Sequence, residues 1–397
     1  MGLAGSLDLS GAFCAGGHLS GPNKCMENLS LYIHIPFCQS KCHYCSFNSY
    51  SGMDWLIPEY MEALIKEIRG SDQGGAVDTV YLGGGTPTML DGQHLGAILE
   101  ACGRAFTVAP NAEITIEANP GTISEPFLRQ LRALGVNRLS LGVQSFDDRR
   151  LKELGRRHSA SEALEAFGLA RTVFDNVNID LLYSLLGQTL EEWQQALGKV
   201  LGLELDHISL YPLTVEEGTP LSQEIASGRV IKPDPDLAAE MFLLAETMLS
   251  DYDHYEISNW ARPGRRCRHN LTYWKNLPYL GFGAGAHSFF ERRRFSNLLS
   301  PIEYVQRLNE ADSPIEQEEY IGEALEMAET MILGLRLREG VNLVEFSNRF
   351  NRDAASVYGD EIDELVSLGL LLNDGSTICL TQRGRLLGNQ VFLRFLP

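Results

Sequence analysis

Apolar residues alternate with polar ones, or run through β-branched side chains, over 31–35, 79–82, 114–117, 138–143, 177–182 and 208–213. Each stretch leads through a loop to a segment whose apolar positions recur every three or four residues. The first pattern predicts strands, and the second predicts helices over 58–69, 92–104, 125–134, 161–173, 191–203 and 237–249. Strands alternating with helices call for a parallel sheet with right-handed crossovers. Six such units are too few for a closed eight-stranded barrel and suit a three-quarter barrel or a doubly wound sheet. The strand ends arbitrate. Cys38, Cys42 and Cys45 follow the first strand, and Gly83-Gly84-Gly85-Thr86-Pro87-Thr88 follows the second. The third ends in Glu117-Ala118-Asn119-Pro120-Gly121, the fourth in Gln144-Ser145-Phe146, the fifth near Asp180 and the sixth in Tyr211-Pro212. Barrel enzymes build their sites at the carboxyl ends of strands. The expectation is therefore an α/β fold, a partial (three-quarter) (β/α)6 TIM-like barrel whose mouth these residues line.

The pattern changes near residue 300. Helical spacing recurs over 302–308, 323–337, 342–350 and 354–368, with Gly369 placed as a C-cap. Two short apolar runs, 370–372 and 378–381, then flank Asn373-Asp374-Gly375-Ser376, a hairpin signal. This predicts an α-rich, winged-helix-like domain over 300–397, read as a lid or partner-docking module over the mouth of a barrel spanning 29–299. Residues 1–28 are rich in Gly and Ser without core-facing periodicity and are read as a flexible extension, with Met26 an alternative start to Met1.

Apolar residues make up 44% of the 397, enough for a sizeable core and too many for a disordered chain. The formal net charge of −19 disfavours nucleic acid and anionic membrane surfaces, and few basic residues lie on the helices of the winged module. No apolar run reaches the ~18 residues of a membrane span. No positive charge precedes Lys24, so the start lacks a secretory n-region. A soluble, cytoplasmic protein is expected, and there structural disulfides are improbable.

Three of the eight cysteines fall in Cys38-Gln-Ser-Lys-Cys42-His-Tyr-Cys45, close enough for their thiolates to converge. Structural zinc wants four protein ligands, and Cys25 or His43 would have to supply the fourth. A [4Fe–4S] cluster held by three cysteines leaves one iron open, which suits a cofactor-binding site. The Gly84-Gly85-Thr86 turn lacks the Lys-Ser/Thr of a P-loop, but its glycines let backbone amides approach a ligand.

With the thiolate loop, Gly-Gly-Gly-Thr-Pro-Thr and Glu-Ala-Asn-Pro-Gly in hand, the chain from Leu29 onward resembles the radical S-adenosylmethionine (SAM) superfamily. It is most similar to the branch of oxygen-independent coproporphyrinogen III oxidases and haem chaperones, with Leu31-Tyr-Ile-His-Ile-Pro-Phe-Cys38 the most specific stretch. The resemblance implies that Cys38, Cys42 and Cys45 hold the cluster. It also implies that Tyr32, Tyr44, Phe47, Gly84, Gly85, Thr86, Glu117, Gln144, Arg156 and Asp180 surround SAM. Phe47 stands where the oxidase pattern has a fourth cysteine, which turns the expectation from oxidative decarboxylation towards the chaperone branch. His269-Asn270-Leu-Thr-Tyr273-Trp274 resembles that branch's haem motif. It implies His269, or alternatively Cys267, as axial ligand and Tyr273 and Trp274 as flat apolar faces. Arg262, Arg265, Arg266 and Arg268 are candidates for pairing with haem propionates or for a solvated loop. His287, in Gly281-Phe-Gly-Ala-Gly-Ala-His287, reads as a satisfied, partly buried side chain before it reads as a second axial ligand. The implied partners are a haem acceptor protein, such as a respiratory enzyme, and an electron donor protein if SAM is cleaved.

Overall fold

Why the barrel forms is visible in its strands. We describe the protein from a computed structural model that covers residues 29–71 and 75–397; the extension over 1–28, with Cys14, Cys25 and Met26, lies outside the described residues. The strands are β1 (Leu29–Ile35), β2 (Ala76–Gly84), β3 (Thr107–Ala118), β4 (Arg138–Gln144), β5 (Val177–Tyr183) and β6 (His207–Pro212). They pair in parallel in chain order, successive strands joined through a helix: α1 (Ile57–Gly70), α2 (Gly92–Ala105), α3 (Glu125–Ala133), α4 (Ala160–Arg171) and α5 (Leu190–Gly202), with α6 (Pro235–Met248) after β6. One residue set of each strand, including Leu31, Ile33, Val80, Leu82, Leu139 and Leu141, is buried in the main core with the helices. Helix starts are fixed locally: Asp91 caps α2, and Ser159/Glu162 and Thr189/Glu192 form capping boxes on α4 and α5.

The alternate residue set is polar. Thr79 donates to Ser30 (2.8 Å), Asn178 to Ser140 (2.7 Å), and Ser140 to Asp180 (3.0 Å). His207 bridges Asn178 (2.7 Å) and Tyr255 (2.8 Å). Into this polar space fits α7 (Arg268–Trp274), the helix carrying the His269–Trp274 motif. Its first residue is preceded by Cys267, which makes no side-chain cap, and the Glu113 carboxylate of β3 takes that role, accepting from the backbone N–H of Arg268 (3.0 Å) and His269 (3.1 Å).

The sheet extends beyond the arc that the repeat predicts. The added strands are β7 (Asp253–Glu256), β8 (Asn259–Ala261), β9 (Tyr279–Phe282), β10 (His287–Phe290), β11 (Arg293–Asn297) and β12 (Ile315–Tyr320). The order is β12-β11-β10-β9-β1-β2-β3-β4-β5-β6-β8-β7, with β9 parallel to β1 and the outer strands antiparallel, so the barrel stays open.

The domain boundary expected at residue 300 falls inside this body. Helix α8 (Pro301–Asn309) buries Tyr304, Val305 and Leu308 in the main core, and β12 is the sheet's edge. A second core begins at Met327, where α9 (Glu323–Gly334), β13 (Val341–Asn342), α10 (Leu343–Phe350), α11 (Ala354–Ser367), β14 (Leu371–Asn373) and β15 (Thr377–Leu380) follow in winged-helix order. Asp374 closes the hairpin turn by accepting from the N–H of Ser376 and Thr377. Glu246 of α6 anchors this module to the barrel through Arg338 (3.0 Å) and Arg385 (2.8 Å).

Candidate functional site

The loop after β1 is pinned at several points. Phe37–Cys38 pairs with Tyr50–Ser51, the N–H of Cys45 donates to the carbonyl of Cys42 (3.2 Å), and Lys41 Nζ donates to the carbonyls of Phe47 (3.2 Å) and Ser49 (3.1 Å). His34, buried beneath, hydrogen-bonds the Asn48 carbonyl (2.8 Å), and Asn48 Nδ2 donates to the carbonyls of Ala284 and Leu299, both at 3.0 Å. The result sets Cys38, Cys42 and Cys45 on one wall of a cavity of about 380 Å³ at the carboxyl ends of the strands. Among the described residues, no three His, Cys, Asp or Glu side chains close on one point as they would around a single metal ion. The His43 ring, held through Nδ1 on the Glu153 carbonyl (3.1 Å), lies outside this cavity and lends the thiols no fourth ligand. Three thiols and no fourth ligand fit a cluster with one open iron better than a structural zinc.

The facing wall is tied to those thiols. Thr86 Oγ1 donates to Cys38 Sγ (3.6 Å) and accepts from Asn119 Nδ2 (2.8 Å). Arg156 donates to Asn119 Oδ1, to the Gly142 carbonyl (2.6 Å) and to Cys42 Sγ (3.5 Å), and its Nε has no partner. Gly84, at φ +111°, and Gly85 turn the chain here, with the N–H of Gly85 on the Ile35 carbonyl and that of Thr86 on the Phe37 carbonyl, both at 2.8 Å. Tyr44, Phe47, Gln144 and Asp180 line the same space; Gln144 adopts a left-handed φ of 67°. Glu117 accepts from Tyr81 Oη (2.8 Å) and the N–H of Gly84 (3.1 Å). Burial, with the charge of Asp180 beside it, pushes its carboxyl up to about 7, and burial also raises Asp180.

Tyr32 falls elsewhere. It lines a neighbouring cavity of about 470 Å³, its hydroxyl hydrogen-bonded to His34 Nδ1 (3.0 Å). The two cavities share Ser46, Phe47, Gly84 and Glu117. No residue beyond Leu299 lines either, so the C-terminal module is not a lid on this mouth.

The four residues expected at haem divide. His269 is buried, with Nδ1 on Thr79 Oγ1 (2.7 Å) and Nε2 on Tyr273 Oη (2.9 Å). Because Thr79 donates onward to Ser30, His269 Nδ1 carries the proton and Nε2 accepts from Tyr273. Burial pushes its pKa down to about 3. Cys267 is fully buried, its thiol donating to Glu113 (3.5 Å) and raised to about 12 by burial. Neither offers an open coordination position. Tyr273 and Trp274 do reach open space, lining an apolar cavity of about 410 Å³; the Arg336 guanidinium lies 4.4 Å from the Trp274 ring, whose indole N–H has no partner. The arginine group is largely spent: Arg266 pairs with Asp253 (2.6 Å) and Glu339 (3.1 Å), Arg268 donates to the Asn111 carbonyl (2.8 Å), and Arg262 to that of Leu205 (3.0 Å).

Sequence reasoning missed Tyr81, which holds Glu117, and Arg138, buried among Tyr81, Glu113 and Cys267. Both lie on the inward face of their strands, so the period-two alternation was the signal. It also passed over Glu67, which fixes the Gly281–His287 segment by accepting from the Gly283 N–H (2.8 Å), Asn297 (2.6 Å) and Tyr304 (2.5 Å). Burial pushes the Glu67 carboxyl from 4.5 up to about 7. A raised carboxyl contributes stability that is full below its unfolded value and is lost as pH rises through its folded value. Between pH ~4.5 and ~7 the melting temperature of the wild-type chain should fall relative to that of Glu67→Gln; parallel curves would show that Glu67 does not titrate in this window.

The model of the radical SAM superfamily matches residues 32–200, and that of the HemN C-terminal domain matches 325–387. The chain is 36% identical to the heme chaperone HemW of Bacillus subtilis over 374 residues, 92% of this chain and 99% of that one. It is 34% identical to the heme chaperone HemW of Escherichia coli over 382 residues, covering 93% and 98%. A mouse relative, the mitochondrial radical S-adenosyl methionine domain-containing protein 1, is 35% identical over 399 residues, covering 96% and 90%. Among solved structures, the radical SAM enzyme coproporphyrinogen III oxidase (HemN) of E. coli superposes with a TM-score of 0.82 over 93% of this chain and 90% of its own; at 24% identity this likeness establishes the fold.

Proposed function

From the premise that the chain belongs to the radical SAM superfamily, in the family of the HemW proteins, we propose that it is a haem chaperone that binds a [4Fe–4S] cluster, SAM and haem and passes haem to an acceptor protein. The observation that carries this reading is end-to-end similarity to a curated haem chaperone, 36% identity across 99% of that protein's length. In it, Cys38, Cys42 and Cys45 hold the cluster as thiolates. When bound, the cluster supplies an open iron position and a one-electron couple. The Gly84–Thr86 turn, its N–H groups committed to Glu117, Ile35 and Phe37, bounds the space for the methionyl group, while Glu117 and Asp180 suit an ammonium and ribose hydroxyls. Arg156, donating to Cys42 Sγ, disperses charge on that thiolate and keeps Asn119 and Thr86 in register with Cys38. Gln144 and Tyr44 close the sides, and Tyr32 acts from the adjoining cavity through His34. Tyr273, which lines both this adjoining cavity and the 410 Å³ one, offers an apolar face to the macrocycle, whereas Trp274 lines only the latter.

No described helix is long and apolar enough to cross a membrane. We place the protein's work in the cytoplasm, with a respiratory enzyme as acceptor and an electron donor protein as a further partner if SAM is cleaved. The rival reading, oxygen-independent coproporphyrinogen III oxidase, is weakened by Phe47 at the position of the oxidases' fourth cysteine. Anaerobically reconstituted protein supplied with SAM, reductant and coproporphyrinogen should give no protoporphyrinogen by chromatography. The same preparation should bind about one haem per chain and lose it to an acceptor apoprotein. Turnover of coproporphyrinogen, or failure to bind haem, would overturn the assignment.

A further inference from the structure

We propose that His287 is the ligand that takes the iron of the haem cargo, in the 470 Å³ cavity beside the thiol-lined one; the inference rests on the chaperone reading and deepens it by naming the site. A haem ligand needs a donor atom that faces open space with a free lone pair. His269 and Cys267 fail that test, being sealed in the barrel. Of the two histidines that line this cavity, His34 has both ring nitrogens in hydrogen bonds, to Tyr32 Oη (3.0 Å) and to the Asn48 carbonyl (2.8 Å). His287 has none and is exposed at the start of β10.

Its position is rigid although its ring is free. A Cβ on Gly281 would come within 2.2 Å of the His287 carbonyl oxygen, so β9 and β10 touch at this point. His287 pairs with Ser296 in the sheet, and the Asn297 N–H holds the Ala286 carbonyl at 2.9 Å. An imidazole on a fixed strand, with neither nitrogen committed, is prepared for an axial bond in either tautomer.

The cavity suits a macrocycle. Tyr32, Tyr273 and Tyr279 line it, the last two edge-on at 4.7 Å. At its rim stand Phe47 and Leu299, 68% and 55% exposed, apolar surface that a porphyrin edge would cover. Phe47 thereby acquires a use where the oxidase pattern has a cysteine. Because Phe47, Gly84 and Glu117 belong to both cavities, haem would lie directly beside the nucleotide.

The test titrates the anaerobically reconstituted full chain, its His287→Ala variant and its His269→Ala variant with haemin, following the Soret band and the low-temperature electron paramagnetic resonance signal. Wild-type protein and His269→Ala should show a nitrogen-ligated signature. His287→Ala should lose it, with affinity lower by about tenfold or more, and added free imidazole should restore the signature while the cluster spectrum stays unchanged. Wild-type spectrum and affinity in His287→Ala, or loss of the signature in His269→Ala with its retention in His287→Ala, would overturn the assignment of His287. If the wild-type chain takes up no haem at all, the chaperone reading itself falls and this inference with it.

Discussion

Replacing Cys38, Cys42 and Cys45 together by alanine is expected to remove the cluster from the protein, leaving less than about a tenth of the wild-type iron and sulfide, with unchanged far-ultraviolet circular dichroism. The loop keeps its shape without the thiols. Backbone bonds from Tyr50 to the Pro36 carbonyl (2.7 Å), and from Gly85 and Thr86 to Ile35 and Phe37 (2.8 Å each), do not involve sulfur, nor do the two bonds of Asn48 to Ala284 and Leu299. All three cysteines are partly exposed, so their truncation opens no core cavity. With the cluster absent, the SAM-induced change in the spectrum should vanish as well. Full iron content in the triple variant would show that the metal lies elsewhere.

The second large effect is expected at Gly85. A Cβ there would meet the carbonyl oxygens of Phe37 and Ile35 at 2.7 and 2.9 Å and the Phe37 nitrogen at 3.0 Å. All three are backbone atoms of the strand end that carries Cys38, so no side chain can swing away to make room. Gly85→Ala must push the glycine turn off that strand, breaking the bonds of Gly85 and Thr86 and the Thr86–Cys38 contact. We expect a stability loss of about 1–3 kcal/mol, typical of overpacking, and a fall in SAM affinity of about tenfold or more, since in the proposed site this turn bounds the nucleotide and positions Cys38. Calorimetric titration and thermal unfolding read the two effects separately. Gly121→Ala is the control: nothing lies within 4 Å of a Cβ there, and it should leave both quantities unchanged. Wild-type SAM affinity in Gly85→Ala would remove the turn from the nucleotide site.

Much of the scaffold was legible because long periodic segments announce themselves. The six parallel strands and their helices fall within a few residues of the predicted ranges, apart from β3, which starts earlier, at Thr107. The winged module was legible for the same reason, down to the Asn373–Ser376 turn. The outer strands were not. Stretches such as Asp253–Glu256 and Asn259–Ala261 are too short for a period, and Ile315–Tyr320 exposes most of its residues at a sheet edge, so it carries little apolar signal. Placing α8 with the barrel also required knowing what Tyr304 packs against, which no local pattern contains.

The sequence by itself determined the kind of chemistry: the spacing of Cys38, Cys42 and Cys45 and the glycine turn narrow the metal and the cofactor, because ligand type and reach along a short loop are local properties. Which histidine is free is not a local property. His269, inside a recognisable motif, is sealed by Tyr273 one helical turn on and by Thr79, 190 positions away on β2, whereas His287, in a glycine-rich segment, is left without a partner. Only the tertiary structure could decide this, since whether a polar atom is satisfied depends on what the fold brings to it from a distance, and on whether it is closed off from open space.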